Sequence, residues 1–381
     1  MKKDRCSPVM KKDRRSPVIK KIGTPWLLGA VMVLVLSLCA GILLAPVVPA
    51  ADRDVKLDAA ARMQNCMDRV RAYKLEEGLG ISEDDIRGTG MIGEPYTFIT
   101  TTSGALEAKR TTADPDMAAL LVQMLHEAGI RPGDTVGAGF SGSFPALNLA
   151  VLSACAAMDV RIVYIASVGA STYGANQPEL TFPDMALRLA GEGLIPAPDA
   201  FSMGGYRDCG LDMDPELAGA IRARLEESGI PMLYTEDFEE NIKARMELYE
   251  NKGPIDCFIG VGGNLTTIGR GEDTVPYGLV RPYSVKRAGD GSGLMELYNA
   301  AGLPVLHLLN IKRLVADYGL PYDPEQPTVP GQSAVYYSKR FPIPAAVLGI
   351  CGAAALIAVG RRKRRKEEEV CGEEDVICDA S

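Results

Sequence analysis

Residues whose types and spacing suit chemistry gather in a few short loops. The clearest is Gly137-Ala138-Gly139-Phe140-Ser141-Gly142-Ser143-Phe144-Pro145. Glycines let main-chain N–H groups approach a ligand, and a helix opening at Pro145 would favour an anion at its start. Three uses fit this string: an anion-binding turn, a nucleophile turn presenting Ser141, or an ordinary tight turn with Ser143 as helix N-cap. Gly137, Gly139 and Gly142 match GxGxxG, but a dinucleotide site wants an acidic residue at the end of the second strand. Asp159 begins that strand instead, so no nicotinamide or other cofactor is expected. As a nucleophile turn, the string lacks the last glycine of G-x-S-x-G.

A nucleophilic Ser141 needs a base, and the chain has only two histidines. His126 falls late in a helical pattern and His307 inside an apolar strand pattern, so neither completes a triad. Lys109 offers a Ser/Lys alternative, and Arg110 beside it offers a second cation. Two further loops suit the same pocket: Ser167 to Asn176, which includes Ser171, and Gly260-Val261-Gly262-Gly263-Asn264. Tyr206-Arg207-Asp208 would add a fourth wall. The candidate ligand-binding residues are therefore Lys109, Arg110, Gly139, Gly142, Ser143, Ser171, Asn176, Gly262, Gly263 and Asn264, with Ser141 the candidate nucleophile. No close Cys pair suits a metal, and Cys66, Cys155, Cys209 and Cys257 give no disulfide framework.

Loops of this kind need a sheet to hold them. The pattern predicts strands at Tyr96–Thr100, Thr135–Phe140, Val160–Ile165, Ile255–Gly260 and Pro304–Leu309. It predicts helices over Asp114–Ala128, Phe144–Met158, Phe182–Glu192, Pro215–Ser228, Asp237–Asn251 and Gly293–Ala301. Strands alternating with helices of this length specify an α/β fold, mostly parallel with crossover helices. Ligands in such sheets sit at the carboxyl ends of the strands, where all three loops fall.

Charge divides the 381 residues into blocks. Residues 1–25 carry nine Lys/Arg against two Asp (+7), residues 51–340 carry 26 basic against 40 acidic side chains (−14), and residues 361–381 carry six against seven (−1). Between them, 26–50 and 341–360 are uncharged, and each has the length and apolarity expected of a transmembrane helix. With Lys2–Lys21 and Arg361–Lys366 as flanks, the positive-inside rule predicts two spans of the cytoplasmic membrane, both termini cytoplasmic and the main domain outside. The expected organisation is a basic tail (1–25, with Met1–Val9 nearly repeated as Met10–Val18), a span (26–50), a helical stalk (51–93), an α/β domain (94–340), a second span (341–360) and a basic-then-acidic tail (361–381). With no basic stripe on the acidic middle block, no nucleic-acid partner is expected.

Ala108-Lys109-Arg110-Thr111, the run Ser141 to Asn148, and Ser167 to Asn176 together give the chain its family likeness. Over roughly residues 95–320 it resembles the poly-γ-glutamate system protein family, and the leading apolar segment is in keeping. The C-terminal span and basic tail lie outside what the resemblance covers. It implies an accessory membrane protein for making or exporting poly-γ-glutamate, an anionic capsule polymer, with other membrane proteins of that system and an end of the polymer as partners. It supplies no catalytic residue. A domain of charge −14 repels a polymer with a carboxylate on each unit, so local capture of one end is expected rather than clamping along its length.

Overall fold

The structure is a computed structural model that describes residues 24–271, 275–285, 288–340 and 342–378, with side chains in the last helix described as far as Lys366. The N-terminal near-repeat lies outside that description, as do the side chains of Cys371 and Cys378 in the C-terminal tail. The chain divides into two compact units, Met1–Val48 with Lys339–Ser381, and Pro49–Ser338.

The first unit pairs two helices, Thr24–Leu43 and Ile343–Cys378. Both are long and apolar enough to cross a membrane. Small residues let them approach closely: a Cβ on Gly349 would lie 2.4 Å from Ser37 Oγ, and one on Gly360 would lie 2.5 Å from the Trp26 ring. Ser37 Oγ also donates to the Ala345 carbonyl at 2.5 Å, a type of interhelical bond common among membrane helices.

The second unit is α/β, with a seven-stranded, mostly parallel sheet. In chain order its strands are β1 (Thr135–Phe140), β2 (Arg161–Ser167), β3 (Ala200–Ser202), β4 (Met232–Leu233), β5 (Cys257–Val261), β6 (Gly278–Val280) and β7 (Val305–Leu308). In space the order is β4-β3-β2-β1-β5-β7-β6, parallel except for β6 at one edge. The chain moves outward from β1 through β4, then restarts on the other side of β1 with β5. The topological switch therefore lies between β1 and β5, where Phe140 pairs with Val261.

β1 and β5 are buried along their whole length, as apolar strands covered on both faces must be. The helix Pro145–Ala157 lies on one face, packed beneath Arg53–Glu76 and Asp116–Ala128. Arg53–Glu76 falls in the segment expected as a helical stalk packed on the domain, and it places Ala59, Met63, Cys66, Met67 and Val70 in the main core. Lys56 and Lys74 are buried with them, each donating to a main-chain carbonyl, Val335 and Ile92, at 2.8 Å, so the polar average of the segment conceals a face packed on the domain. On the other face of the sheet, Val163, Ile165 and Phe258 pack with Phe238, Ile242 and Leu294.

The strand expected over Tyr96–Thr100 lies instead at Thr100–Thr102, where it pairs with Ala170–Ser171. Tyr96 and Phe98 remain exposed because Asn176 ties down the main chain around them. Its side chain accepts from the Glu94 N–H at 2.9 Å and donates to Thr100 Oγ1 at 3.0 Å.

Candidate functional site

A cavity of about 220 Å³ opens at the carboxyl edge of the sheet, lined in part by Ser141, Ser143, Gly169, Asp208, Gly263 and Asn264. Parallel register brings these residues together: β1 delivers Ser141, β5 delivers Gly262–Asn264, and Ser167 at the end of β2 lies beside Ser202 at the end of β3. Gly262 has φ +79, and a Cβ there would lie 2.8 Å from Ser141 Cβ, so only glycine lets the two turns meet at that distance.

Behind the cavity runs a continuous polar wall. Asn264 Nδ2 donates to Ser167 Oγ at 2.9 Å, Ser167 Oγ and Ser202 Oγ share a hydrogen at 2.8 Å, and Ser202 Oγ donates to Asp208 Oδ1 at 3.2 Å. Asp208 Oδ2 accepts from Asn241 Nδ2 at 3.0 Å and pairs with the Arg245 guanidinium. Asp208 and Arg245 are both buried, and Arg245 Nε donates to Asn241 Oδ1 at 2.8 Å. Each polar atom here has a partner, as a buried network requires. Arg207, named with Asp208 as a possible wall, points elsewhere and pairs with Glu236 at 2.9 Å.

Ser141 Oγ accepts from the Ser143 N–H at 3.1 Å and donates to the Gly169 carbonyl at 3.3 Å. No histidine is at hand. His126 pairs with Asp52 at 2.9 Å, and His307 Nδ1 bonds the Val275 carbonyl at 2.8 Å. The hydroxyl has the strand-turn-helix setting of a nucleophile but not the base.

Lys109 is the uncommon group. Only 3% exposed, it donates to the Ser143 carbonyl and lies 2.7 Å from Ser171 Oγ. Its ammonium sits 3.6 Å above the centre of the Phe144 ring. Burial pushes its amine down to about 7, because an apolar surrounding disfavours the charged form. Ser171 N–H donates in turn to Ser143 Oγ at 3.0 Å. Lys109, Ser143 and Ser171 thus form one cluster, and Ser143 belongs to the cavity as well.

The remaining candidates hold the frame. Arg110 forms a two-pronged pair with Asp323 at 2.7 and 2.5 Å, and Asn176 is committed to the loop described above. Gly139 pairs with Gly260, and a Cβ on either would press on Thr267. Together they let the Leu265–Ile268 helix settle onto the sheet. Gly142 accepts from the Ala175 N–H at 2.8 Å, and a Cβ on it would lie 2.5 Å from the Val168 carbonyl. Gly205, just before the expected fourth wall, lines the cavity, and so do Thr101, Thr102 and Asp212, which had not stood out in the sequence. For the threonines the available signal was their β-rich run beside Ser103-Gly104. The four buried cysteines are free thiols, and burial drives Cys66 to about 11 and Cys155 to about 12. The chain matches no protein-family model, no curated protein and no solved structure.

Proposed function

We propose that the chain is a membrane-anchored accessory component of poly-γ-glutamate synthesis or export. In this reading Pro49–Ser338 lies outside the cytoplasmic membrane, both termini lie inside, and the partners are other membrane proteins of the system. The cavity at the switch between β1 and β5 takes one end of the polymer. The observation that carries the reading is the convergence of the Ser141–Ser143 and Gly262–Asn264 turns on one small polar cavity, the place where open α/β sheets bind ligands. The acidity of the surrounding domain favours capture of a single terminal unit over broad contact. At Ser141 the missing base favours binding over cleavage.

Gly263 provides a mild test, since a Cβ there meets nothing within 4 Å. Gly263→Asp should leave the melting temperature within a degree or two and weaken binding of γ-linked glutamate oligomers at least tenfold, measured by calorimetric titration of the full chain in detergent. Equal affinity for wild type and variant would remove the cavity from the reading, and absence of binding by wild type would leave a scaffold role. Reporter fusions at residue 50 and at the C-terminus test the topology, and an outward C-terminus would overturn it.

A further inference from the structure

The geometry points to a second use of this edge of the sheet: Ser171 and Lys109 form a serine–lysine acyl-transfer pair, with Ser171 Oγ as nucleophile and Lys109 Nζ as its base. The inference is independent of polymer binding at the neighbouring cavity.

Several observations lead there. Ser171 Oγ and Lys109 Nζ are 2.7 Å apart, within range for direct proton transfer. The amine gives one hydrogen to the Ser143 carbonyl, and in its neutral form its lone pair is free to accept from the serine hydroxyl. No carboxylate among the described residues pairs with Lys109, so its charged form is held only by neutral groups, the Ser143 carbonyl, the Ser171 hydroxyl and the Phe144 ring face. Burial lowers its proton affinity into the range where a lysine works as a base at neutral pH. Access comes from the Gly104 side. Gly104 is only half-buried, and a Cβ on it would stand 2.6 Å from Ser171 Oγ. The residue directly over the hydroxyl is therefore one without a side chain. Ser141, the serine that sequence spacing favoured, has none of these features.

The substrate class is a carboxylic amide or ester. Ser171 Oγ forms a bond to the acyl carbon while its proton passes to Lys109 Nζ. The carbon–nitrogen or carbon–oxygen bond then breaks, and the leaving group departs with that proton. Water next attacks the acyl-serine and gives a proton to Lys109, and Ser171 recovers its hydrogen as the acid leaves. No metal or redox partner is required for this balance.

A fluorophosphonate probe tests the pair, because it phosphonylates an activated serine with loss of fluoride. On the full chain in detergent, mass spectrometry should find the adduct on Ser171, at a rate that rises with pH through an inflection near 7. Ser171→Ala should abolish the adduct, and Lys109→Met should slow it at least about 100-fold, with circular dichroism establishing that each variant is folded. An adduct on Ser141, no adduct on Ser171, or a rate on Ser171 that ignores pH would each overturn the assignment. The site and pH profile are read on wild type, so a variant that fails to fold does not protect the idea.

Discussion

Arg245 and Lys109 are both buried cations near the carboxyl edge of one sheet, and their surroundings differ in kind. The Arg245 charge is answered by the Asp208 carboxylate and steadied by Asn241. Lys109 meets only a neutral hydroxyl, a carbonyl and a ring face. Lys74 falls between: buried and bonded to the Ile92 carbonyl at 2.8 Å, it is pushed down by burial to about 8, with Asp85 and Glu94 opposing that shift. A cation with a matched anion can be part of a wall. One without it destabilises the fold at neutral pH, and groups held in that condition are candidates for chemistry. The contrast separates the cavity wall from the reactive centre beside it.

The largest expected effect lies on the compensated side. Asp208→Ala leaves the Arg245 guanidinium buried without an anion and removes an acceptor from Ser202 and Asn241. Breaking a buried pair from one end costs about 3–5 kcal/mol, which urea unfolding of the full chain in detergent would register as a lower midpoint. A loss below about 1 kcal/mol would break the comparison, because Arg245 would then be as weakly compensated as Lys109.

On the uncompensated side the effect is a pH dependence of the same sense as the usual acid loss, displaced to a higher pH window. The folded state holds the Lys109 amine near 7, below the ordinary lysine value of 10.5, so between these values the unfolded chain binds more protons. Stability therefore rises as pH rises through that window and falls as pH drops toward 7, with a limiting slope of about 1.4 kcal/mol per pH unit from this group. Lys109→Met should remove that contribution. Denaturant midpoints at pH 7, 8 and 9 for the two proteins give the difference directly. Parallel curves would show that Lys109 is compensated after all.

The sequence exposed one half of this contrast better than the other. Thr135–Phe140 ends where the glycine turn suggested, and Gly129 closes its helix at φ +91, because strand runs and glycine stops are local signals. β3 and β4, only three and two residues long, carry no such signal, since their pairing partners create them. Asp208 reaches Arg245 across 37 residues of sequence, by way of left-handed φ angles at Arg207 and Asp208. Lys109 reaches Ser171 across 62 residues. Spacing in sequence brought Lys109 and Ser171 to notice separately, but only the ladder between Thr100–Thr102 and Ala170–Ser171 sets one against the other. Ser141 looked the better nucleophile because its turn is contiguous, whereas a serine's base comes from another part of the fold.

The smallest change sharpens the comparison most locally. Gly104 is fixed on both sides by Thr172, whose Oγ1 accepts from its N–H at 2.8 Å and donates to its carbonyl at 3.0 Å. It cannot move aside easily, so Gly104→Ala forces a methyl toward Ser171 Oγ at 2.6 Å and Lys109 Cε at 3.2 Å. Overpacking of this kind costs about 1–3 kcal/mol, and a single methyl belongs near the lower end. The same substitution at Gly263, in open space, should shift stability by less than about 0.5 kcal/mol. The paired measurement distinguishes crowding of the lysine centre from general loop sensitivity. Gly104→Ala should also slow phosphonylation of Ser171 beyond what its stability loss explains, since the methyl occupies the approach to the hydroxyl. If both alanines were neutral, the space over Ser171 would be looser than these distances require, and Gly104 would lose its place as the way in.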